Sequence, residues 1–269
     1  MVMGQNAMLD NRVVVITGGA GGGIGQGVVR TIARHGAAVA IVDKDIDSAS
    51  RFADDLRADA HTIEVYTCDV ADARQVQRAV DGVMQRFGRI DGLVNSAGVG
   101  LIKPLHECTD DDYQRLLSID LYGCFAMCRQ VLPIMVRQGG GSIVNITSIH
   151  AERALGSYSL YSAAKAGLAG MTRGIAVEYG EHGIRANAIA PGLVDGPQTR
   201  SLLAQYTDDV DAWIHEFATM RQAAPRIIAS QDVGEMVAFL LSERAAAITG
   251  TSVPVDCGLL AMISSREDT

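Results

Sequence analysis

Residues 13–27 read Val13-Val14-Val15-Ile16-Thr17-Gly18-Gly19-Ala20-Gly21-Gly22-Gly23-Ile24-Gly25-Gln26-Gly27. The β-branched run from Arg12 to Thr17 stops at a dense glycine cluster, the pattern of a buried strand ending in a turn. From Ile24 to His35 the pattern turns helical, and it stops at Gly36, a residue suited to a C-cap. Strand, glycine loop and helix in that order make an anion seat. The first turn of a helix carries unpaired N–H groups and the positive end of the helix dipole, and glycine lets a pyrophosphate approach the backbone. The spacing is GxxxGxG, met as Gly19, Gly23, Gly25 and again as Gly21, Gly25, Gly27, whereas GxGxxG is absent.

Outward from this stretch, strands and helices alternate. Ala37 to Val42 reads as a strand closed by Asp43, followed by strand Ile63 to Thr67, helix Ala73 to Phe87 and strand Gly92 to Asn95. A long helix is expected from about Asp110 to Val136, then strand Ser142 to Ile146, helix Ser159 to Tyr179 and strand Ile184 to Ile189. A helix near Asp232 to Leu241 and a strand near Ser252 to Val255 close the chain. Fully apolar strands alternating with helices predict an α/β fold, a doubly wound parallel sheet covered on both faces, with ligands at the carboxyl ends of the strands. With no repeat or linker, residues 1–269 are expected to form a single domain. The least regular stretch, 193–226, carries Trp213, Phe217 and Met220 on one helical face.

The chain has 269 residues, a formal net charge of -8, 48% hydrophobic and 20% charged residues. A globule of this size buries roughly 75% of its unfolded surface, so the composition describes a packed core and not a disordered chain. The acidic balance disfavours nonspecific binding to nucleic acid or anionic membranes. No apolar run approaches the roughly 18 residues of a spanning helix. Met1 to Asp10 lacks the basic and apolar regions of a signal peptide. Five Cys without a CxxC, and His residues without HExxH, predict neither a disulfide framework nor a metal site. Cys124 and Cys128 share a helix face and read as buried small hydrophobes. The expected location is the reducing cytoplasm.

Asp43 lies 18 residues past Gly25 at the end of the second strand. A carboxylate there accepts hydrogen bonds from an adenosine ribose and repels a 2′-phosphate, which predicts NAD(H) over NADP(H). The other reading is a cap on the following helix, and the neighbouring Lys44 leaves room for NADP(H). Tyr161 and Lys165, four apart, share a face of the predicted helix, as a reactive pair or as a surface pair. Ser148 follows the strand before that helix, at a strand carboxyl end.

With these residues on the page, the chain resembles the short-chain dehydrogenase/reductase family over nearly its whole length. The matching pieces are Thr17-Gly18 with the glycine loop, Asn95-Ser96-Ala97-Gly98, Ser148, Tyr161-x-x-x-Lys165 and Pro191-Gly192. Ser148 precedes Tyr161 by 13 residues, the family's usual interval. The resemblance implies a Rossmann fold and an NAD(P)-dependent alcohol dehydrogenase or ketone reductase. Tyr161 is then the general acid and base, Lys165 the cation that favours tyrosinate and holds the nicotinamide ribose, and Ser148 a donor to the substrate oxygen. A free tyrosine titrates near about 10, so a catalytic one depends on such help. The resemblance also implies cofactor contacts from Gly19, Gly23, Ile24, Gly25, Asp43, Asp69, Val70, Asn95, Ala97, Gly98, Tyr161, Lys165, Pro191, Gly192 and Val194. Ile189 then lies along the nicotinamide. The family often assembles as tetramers or dimers, with the helices bearing Asp120 and Tyr161 at a dimer face.

Three departures stand out. The family usually places three residues between Thr-Gly and Gly-x-Gly, whereas here Gly19, Ala20, Gly21 and Gly22 intervene. Either the loop bulges by one residue, or Gly19 becomes the first glycine and Thr17 is displaced. Asp120 stands where the family usually has a helical Asn that organises a water near the active Lys. An ionised Asp120 would stabilise the Lys165 cation and offset its pull on Tyr161; otherwise it is a structural Asp. Gly196 stands where Thr is common, with Thr199 as the candidate substitute. His150 and Arg153 either contact a polar substrate group or belong to a solvated loop. The segment 193–226 is a lid, packed core or an oligomer contact. The expected activity is interconversion of a secondary alcohol and a ketone, on a cyclic or bulky apolar small molecule. The alternative is a catalytically weak NAD-binding sensor or scaffold of the same fold.

Overall fold

The β-branched run that opens the glycine motif lies mid-sheet. Strand β1 (Val13–Thr17) pairs in parallel with β2 (Ala38–Asp43) on one side and β4 (Gly92–Asn95) on the other. The computed structural model describes residues 7–263. The outer residues of the single-domain expectation, and part of the Met1 to Asp10 reading, lie outside them. With β3 (Ile63–Thr67), β5 (Gly141–Ile146), β6 (Ile184–Pro191) and β7 (Ser252–Val255), the order is β3-β2-β1-β4-β5-β6-β7, all parallel. The order reverses between β1 and β4, which opens a crevice at their carboxyl ends.

Strand β1 shows why the runs are apolar throughout. Val14 and Ile16 face one core and Val13 and Val15 the other, so neither face tolerates a polar residue. One layer holds α1 (Ile24–Arg34), α2 (Ile46–Ala58) and α9 (Ser230–Leu241) through Val28, Ile32, Phe52, Leu56 and Val237. The other holds α3 (Ala73–Phe87), α5 (Cys124–Gln138) and α6 (Ser159–Tyr179) through Val80, Met127, Val131, Met135 and Ile175. Each fully buried aliphatic side chain contributes about 1.5–3 kcal/mol. Helices α1 and α9 touch backbone to backbone. A Cβ on Gly27 would lie 2.3 Å from Ser230 Oγ, and one on Gly234 2.6 Å from Thr31 Oγ1.

The structure corrects the expected elements in three places. Helix α2 was not anticipated; Asp45 caps it by accepting from Ser48 N–H, and Ala49, Phe52, Ala53 and Leu56 form its buried stripe. The long helix is α4 (Asp110–Leu117), a π-helical turn (Ser118–Gly123) and α5, one continuous helical path with a widened turn around Asp120. Residues 110–138 are long and apolar enough to cross a bilayer, but they bury Ala126, Met127, Val131 and Met135 against the sheet. Within 193–226 lie α7 (Pro197–Leu203) and α8 (Val210–Arg221). In α8 the buried residues are Ile214 and Ala218, while Trp213 and Phe217 stack at 5.4 Å on a half-exposed flank.

Candidate active site

The glycine loop adopts the bulged register. Thr17 stays in β1 opposite Asn95, and its Oγ1 accepts from Ser96 N–H and Ala97 N–H at 3.0 and 3.1 Å. Gly18 turns the chain at φ +68 and donates its N–H to Val42 at 2.9 Å. Helix α1 starts at Ile24 with Gly23 as N-cap. A Cβ on Gly25 would sit 2.0 Å from the Gly18 carbonyl, so only glycine lets the helix start this close to the strand. Gly18, Gly23 and Gly25 thus hold the turn, and the additional residue is taken up where Gly22, at φ +69, donates to the Ala20 carbonyl. Gly19 is pressed against Ile41 and Val29, where a Cβ would meet both at 3.0 Å, and Thr17 is not displaced.

Asp43 ends β2 beside this loop. Its Oδ2 accepts from Ala20 N–H at 2.9 Å and its Oδ1 from Asp45 N–H at 3.1 Å. The cap of α2 is Asp45, so Asp43 is free of that task and fixes the loop to the strand end. A loop whose one side chain, the Ala20 methyl, is buried, leading to a helix N-terminus and flanked by this carboxylate, fits the pyrophosphate and ribose of a dinucleotide.

The remaining expected residues line the same edge. Asp69 and Val70 follow β3 beside β2, where Asp69 Oδ1 accepts from Ala71 N–H at 2.9 Å and Val70 packs on Gly123. Asn95 turns its side chain inward: Nδ2 donates to Asn145 Oδ1 at 2.8 Å, and Asn145 donates on to Thr172 Oγ1 at 2.8 Å. What Asn95 offers the crevice is therefore backbone. Ala97 and Gly98 lead away from the end of β4. Pro191 ends β6, Gly192 donates to Val255, and Val194 bridges to Ile228.

Ser148, Tyr161 and Lys165 belong to elements packed side by side. Ser148 caps the short turn after β5, and its Oγ accepts from His150 N–H at 3.2 Å. His150 stacks on Tyr158 at 4.2 Å and meets Tyr161 edge-on at 5.9 Å, and Tyr158 meets Tyr161 edge-on at 6.0 Å. Burial pushes His150 down from its ordinary value and Tyr158 up to about 12. Lys165, buried one turn beyond Tyr161, places Nζ 5.6 Å from the Tyr161 ring centre and 3.2 Å from the Ile146 carbonyl. It is also 2.9 Å from Asp120 Oδ2, with both side chains buried. Burial disfavours the ammonium, but Asp120 and then Tyr161 outweigh it, so Lys165 holds its proton above the usual lysine range. Cys124 and Cys128, pushed up to about 12 by burial, are inert thiols in the core. Tyr158 was not anticipated; its signal was its place one turn before Tyr161.

The segment after β6 covers the glycine loop. A Cβ on Gly22 would lie 3.0 Å from Pro197 Cγ, and one on Gly196 3.4 Å from the Gly22 carbonyl. Gln198 donates to the Gly98 carbonyl at 3.3 Å. The Thr199 hydroxyl donates to the Val194 carbonyl at 2.8 Å, so it is engaged within the segment and is no free replacement for a hydroxyl at Gly196. Arg153 donates to the Met262 carbonyl at 2.9 Å.

Comparison with known proteins follows the same lines. A family model described as enoyl-(acyl carrier protein) reductase matches residues 19–260. Levodione reductase of Leifsonia aquatica is 38% identical over 251 residues, 92% of this chain and 94% of that protein. Cis-4-hydroxycyclohexanecarboxylate dehydrogenase of Sinomonas cyclohexanicum is 38% identical over 93% of this chain and 97% of its own. A crystal structure of a gluconate 5-dehydrogenase from Burkholderia cenocepacia, in complex with NADP and tartrate, superposes with a TM-score of 0.88 at 31% identity, covering 96% of this chain and 98% of that one. Likeness that runs the length of the chain, and not through one motif, makes this protein a member of the short-chain dehydrogenase/reductase family and an NAD(P)-dependent oxidoreductase.

Proposed function

We propose that the protein interconverts a secondary alcohol and a ketone with NAD(H), and that its substrate is a cyclic or otherwise bulky apolar molecule. The observation that carries this reading is the apolar surround of Tyr161. His150 and Tyr158 stack on each other and meet its ring edge-on, and Tyr161 packs on a cluster of Leu116, Leu160 and Ala164 that Val99 and Leu101 also join. Such a surround favours a flat or aliphatic ring over a strongly hydrated chain. With His150 held neutral by burial, it meets a neutral substrate group. The cyclohexane named in one relative points the same way, whereas the tartrate-bound neighbour argues for including polyols in any test.

A nicotinamide cofactor held along the glycine loop, Asp43 and Lys165 would supply or accept the hydride at the substrate carbon. Tyr161 Oη moves the proton at the substrate oxygen. Ser148 Oγ accepts from the His150 N–H, which leaves its own O–H free to donate to that oxygen. Two hydroxyl donors, Ser148 and Tyr161, on neighbouring elements support carbonyl chemistry over the enoyl reduction in the matched model's description. A sensor or scaffold role is not favoured, because Tyr161 and Lys165 are present and adjacent. Asp43 supports NAD over NADP: two backbone N–H groups fix its carboxylate where a 2′-phosphate would meet negative charge.

Segment 193–226 serves as the substrate loop in this reading. Tyr113, Tyr122, Phe125 and Val177, 36–85% exposed on α4–α5 and α6, support assembly through those helices into a dimer or tetramer. The free cysteines Cys68, Cys108, Cys124, Cys128 and Cys257 fit the cytoplasm.

The test follows reduced-nicotinamide absorbance with cyclohexanols, steroidal alcohols, threitol and gluconate, with NAD and NADP in parallel. Cyclic alcohols with NAD should give the highest kcat/KM, and Tyr161→Phe should lower it by about 10²–10⁴-fold with NAD binding retained. Faster turnover of the polyols would refute the substrate class, and equal kcat/KM with NADP would refute the role of Asp43.

A further inference from the structure

Two donors converge on the carboxyl group of Asp120 in its π-helical turn. Val99 N–H donates to Oδ1 at 2.8 Å, and Lys165 Nζ stands 2.9 Å from Oδ2. A carboxylate accepts both. An amide in the same place accepts one and turns its own N–H₂ toward the ammonium. The seat therefore suits a negative charge and not merely the shape of an Asn. Gly98 closes it: a Cβ there would lie 3.1 Å from Oδ2 and 3.3 Å from Nζ. A widened helical turn of this kind commonly marks a functional position.

The groups facing the cluster are Asp120 from the π-helical turn, Cys124 from α5, and Tyr161 on the helix of Lys165 itself. Around Tyr161 stand His150, from the turn after β5, and Tyr158. Burial keeps the Cys124 thiol and the Tyr158 phenol protonated and the His150 ring neutral. Among the described residues, Asp120 is thus the countercharge that Lys165 meets at neutral pH. Its oxygen, 2.9 Å from Nζ, is far nearer than the Tyr161 ring centre at 5.6 Å, so it cancels much of the ammonium's field at Tyr161.

We propose that Asp120 is a positioning residue that neutralises Lys165 within a buried ion pair, so that Tyr161 keeps its proton to higher pH and serves as a proton donor for carbonyl reduction across the neutral range. The proposal rests on the reading of Tyr161 as acid and base. Reduction needs the phenol, which gives its proton to the substrate oxygen and regains one from solvent. Oxidation needs the tyrosinate, which takes the proton of the alcohol. Asp120 therefore sets one boundary that limits both directions.

The experiment compares kcat–pH profiles in both directions for the wild type and Asp120→Asn, with NAD(H) and the best alcohol–ketone pair of the panel above. Asp120→Asn should move the acidic limb of oxidation and the alkaline limb of reduction to lower pH together, by about one unit, which is about ten-fold faster oxidation below the limb. A second measurement needs no turnover: the tyrosinate absorbance difference between the wild type and Tyr161→Phe, titrated with Asp120 intact and with Asp120→Asn. That step should also move down. Limbs and absorbance step that stay in place, whether or not kcat falls, would leave Asp120 a structural residue and overturn the proposal. Full turnover by Tyr161→Phe would instead remove the acid–base reading beneath it.

Discussion

Lys165 and Asp120 meet at 2.9 Å with side chains 6% and 0% exposed, whereas Arg200 reaches Asp195 and Asp211 at 2.7 and 2.8 Å from a side chain 41% exposed. The contact distances are alike and the surroundings are not. The first pair lies between α6 and the turn before α5, buried on both sides. The second ties α7 to Asp195 and to α8 at the surface, where bulk water can take the place of each bond. A buried pair, once formed, admits one geometry, because breaking it strands a charge. An exposed pair sets a preference among geometries of similar free energy. In the proposed reading the reacting groups are therefore fixed, and segment 193–226, taken there as the substrate loop, can adapt.

The strongest way to break this contrast is to remove one buried partner. Lys165→Met should abolish turnover and lower stability by about 3–5 kcal/mol, read from urea unfolding, because Asp120 is left without a countercharge. Adding Asp120→Leu should recover much of that stability and none of the activity. If Lys165→Met unfolds no more easily than a variant at Arg200, burial is not what separates the two regions.

An intermediate effect is expected where the glycine loop touches the start of α7. Gly22 sits at φ +69, and a Cβ there would lie 3.0 Å from Pro197 Cγ. Gly22→Ala should cost about 1–2 kcal/mol for the left-handed backbone alone. Because it also displaces the start of α7, KM for cofactor and for substrate should rise together while kcat changes less. A rise confined to the cofactor would mean that the glycine loop and segment 193–226 act independently.

What could be read in advance follows the same division. Strand β1, the glycine loop and the positions of Ser148, Tyr161 and Lys165 are legible because local rules dictate them: apolar runs for strands buried on two faces, glycine where a helix starts close to a strand, and i, i+4 spacing on a helix. Asp120 is legible as a departure in residue type, but the π-helical turn that aims it is not. The apolar pattern of residues 110–136 runs on unbroken, and a widened turn alters hydrogen bonding without altering composition. Helix α2 was hidden by its polarity, since its buried stripe is only Ala49, Phe52, Ala53 and Leu56. Tyr158 acts through a stack on His150 across an irregular loop, a contact that no periodicity announces. The glycine register needed coordinates. Both candidate spacings include Gly25, and the readings separate only where Thr17 is seen to stay opposite Asn95 while the additional residue is taken up in the turn at Gly22.

The smallest effect, and the one that sharpens the contrast most, is expected at Arg200. Its guanidinium holds Asp195 through Nε at 2.7 Å and Nη2 at 2.9 Å, and Asp211 through Nη1 at 2.8 Å. Asp195 follows Val194, whose bridge to Ile228 anchors the start of segment 193–226, and Asp211 lies in the first turn of α8. Arg200→Ala removes both links at once but buries no charge and opens no core, so Tm should stay within error of the wild type. The proposed substrate loop should then sample more arrangements. A substrate pays more ordering entropy to close it, which raises substrate KM several-fold and leaves NAD affinity unchanged, because the glycine loop and Asp43 are untouched. kcat should hold, since Ser148, Tyr161 and Lys165 do not move. A fall in kcat equal to the rise in KM would show that segment 193–226 positions the reacting groups as well as the substrate, and the separation between a fixed chemical centre and an adaptable substrate loop would be lost.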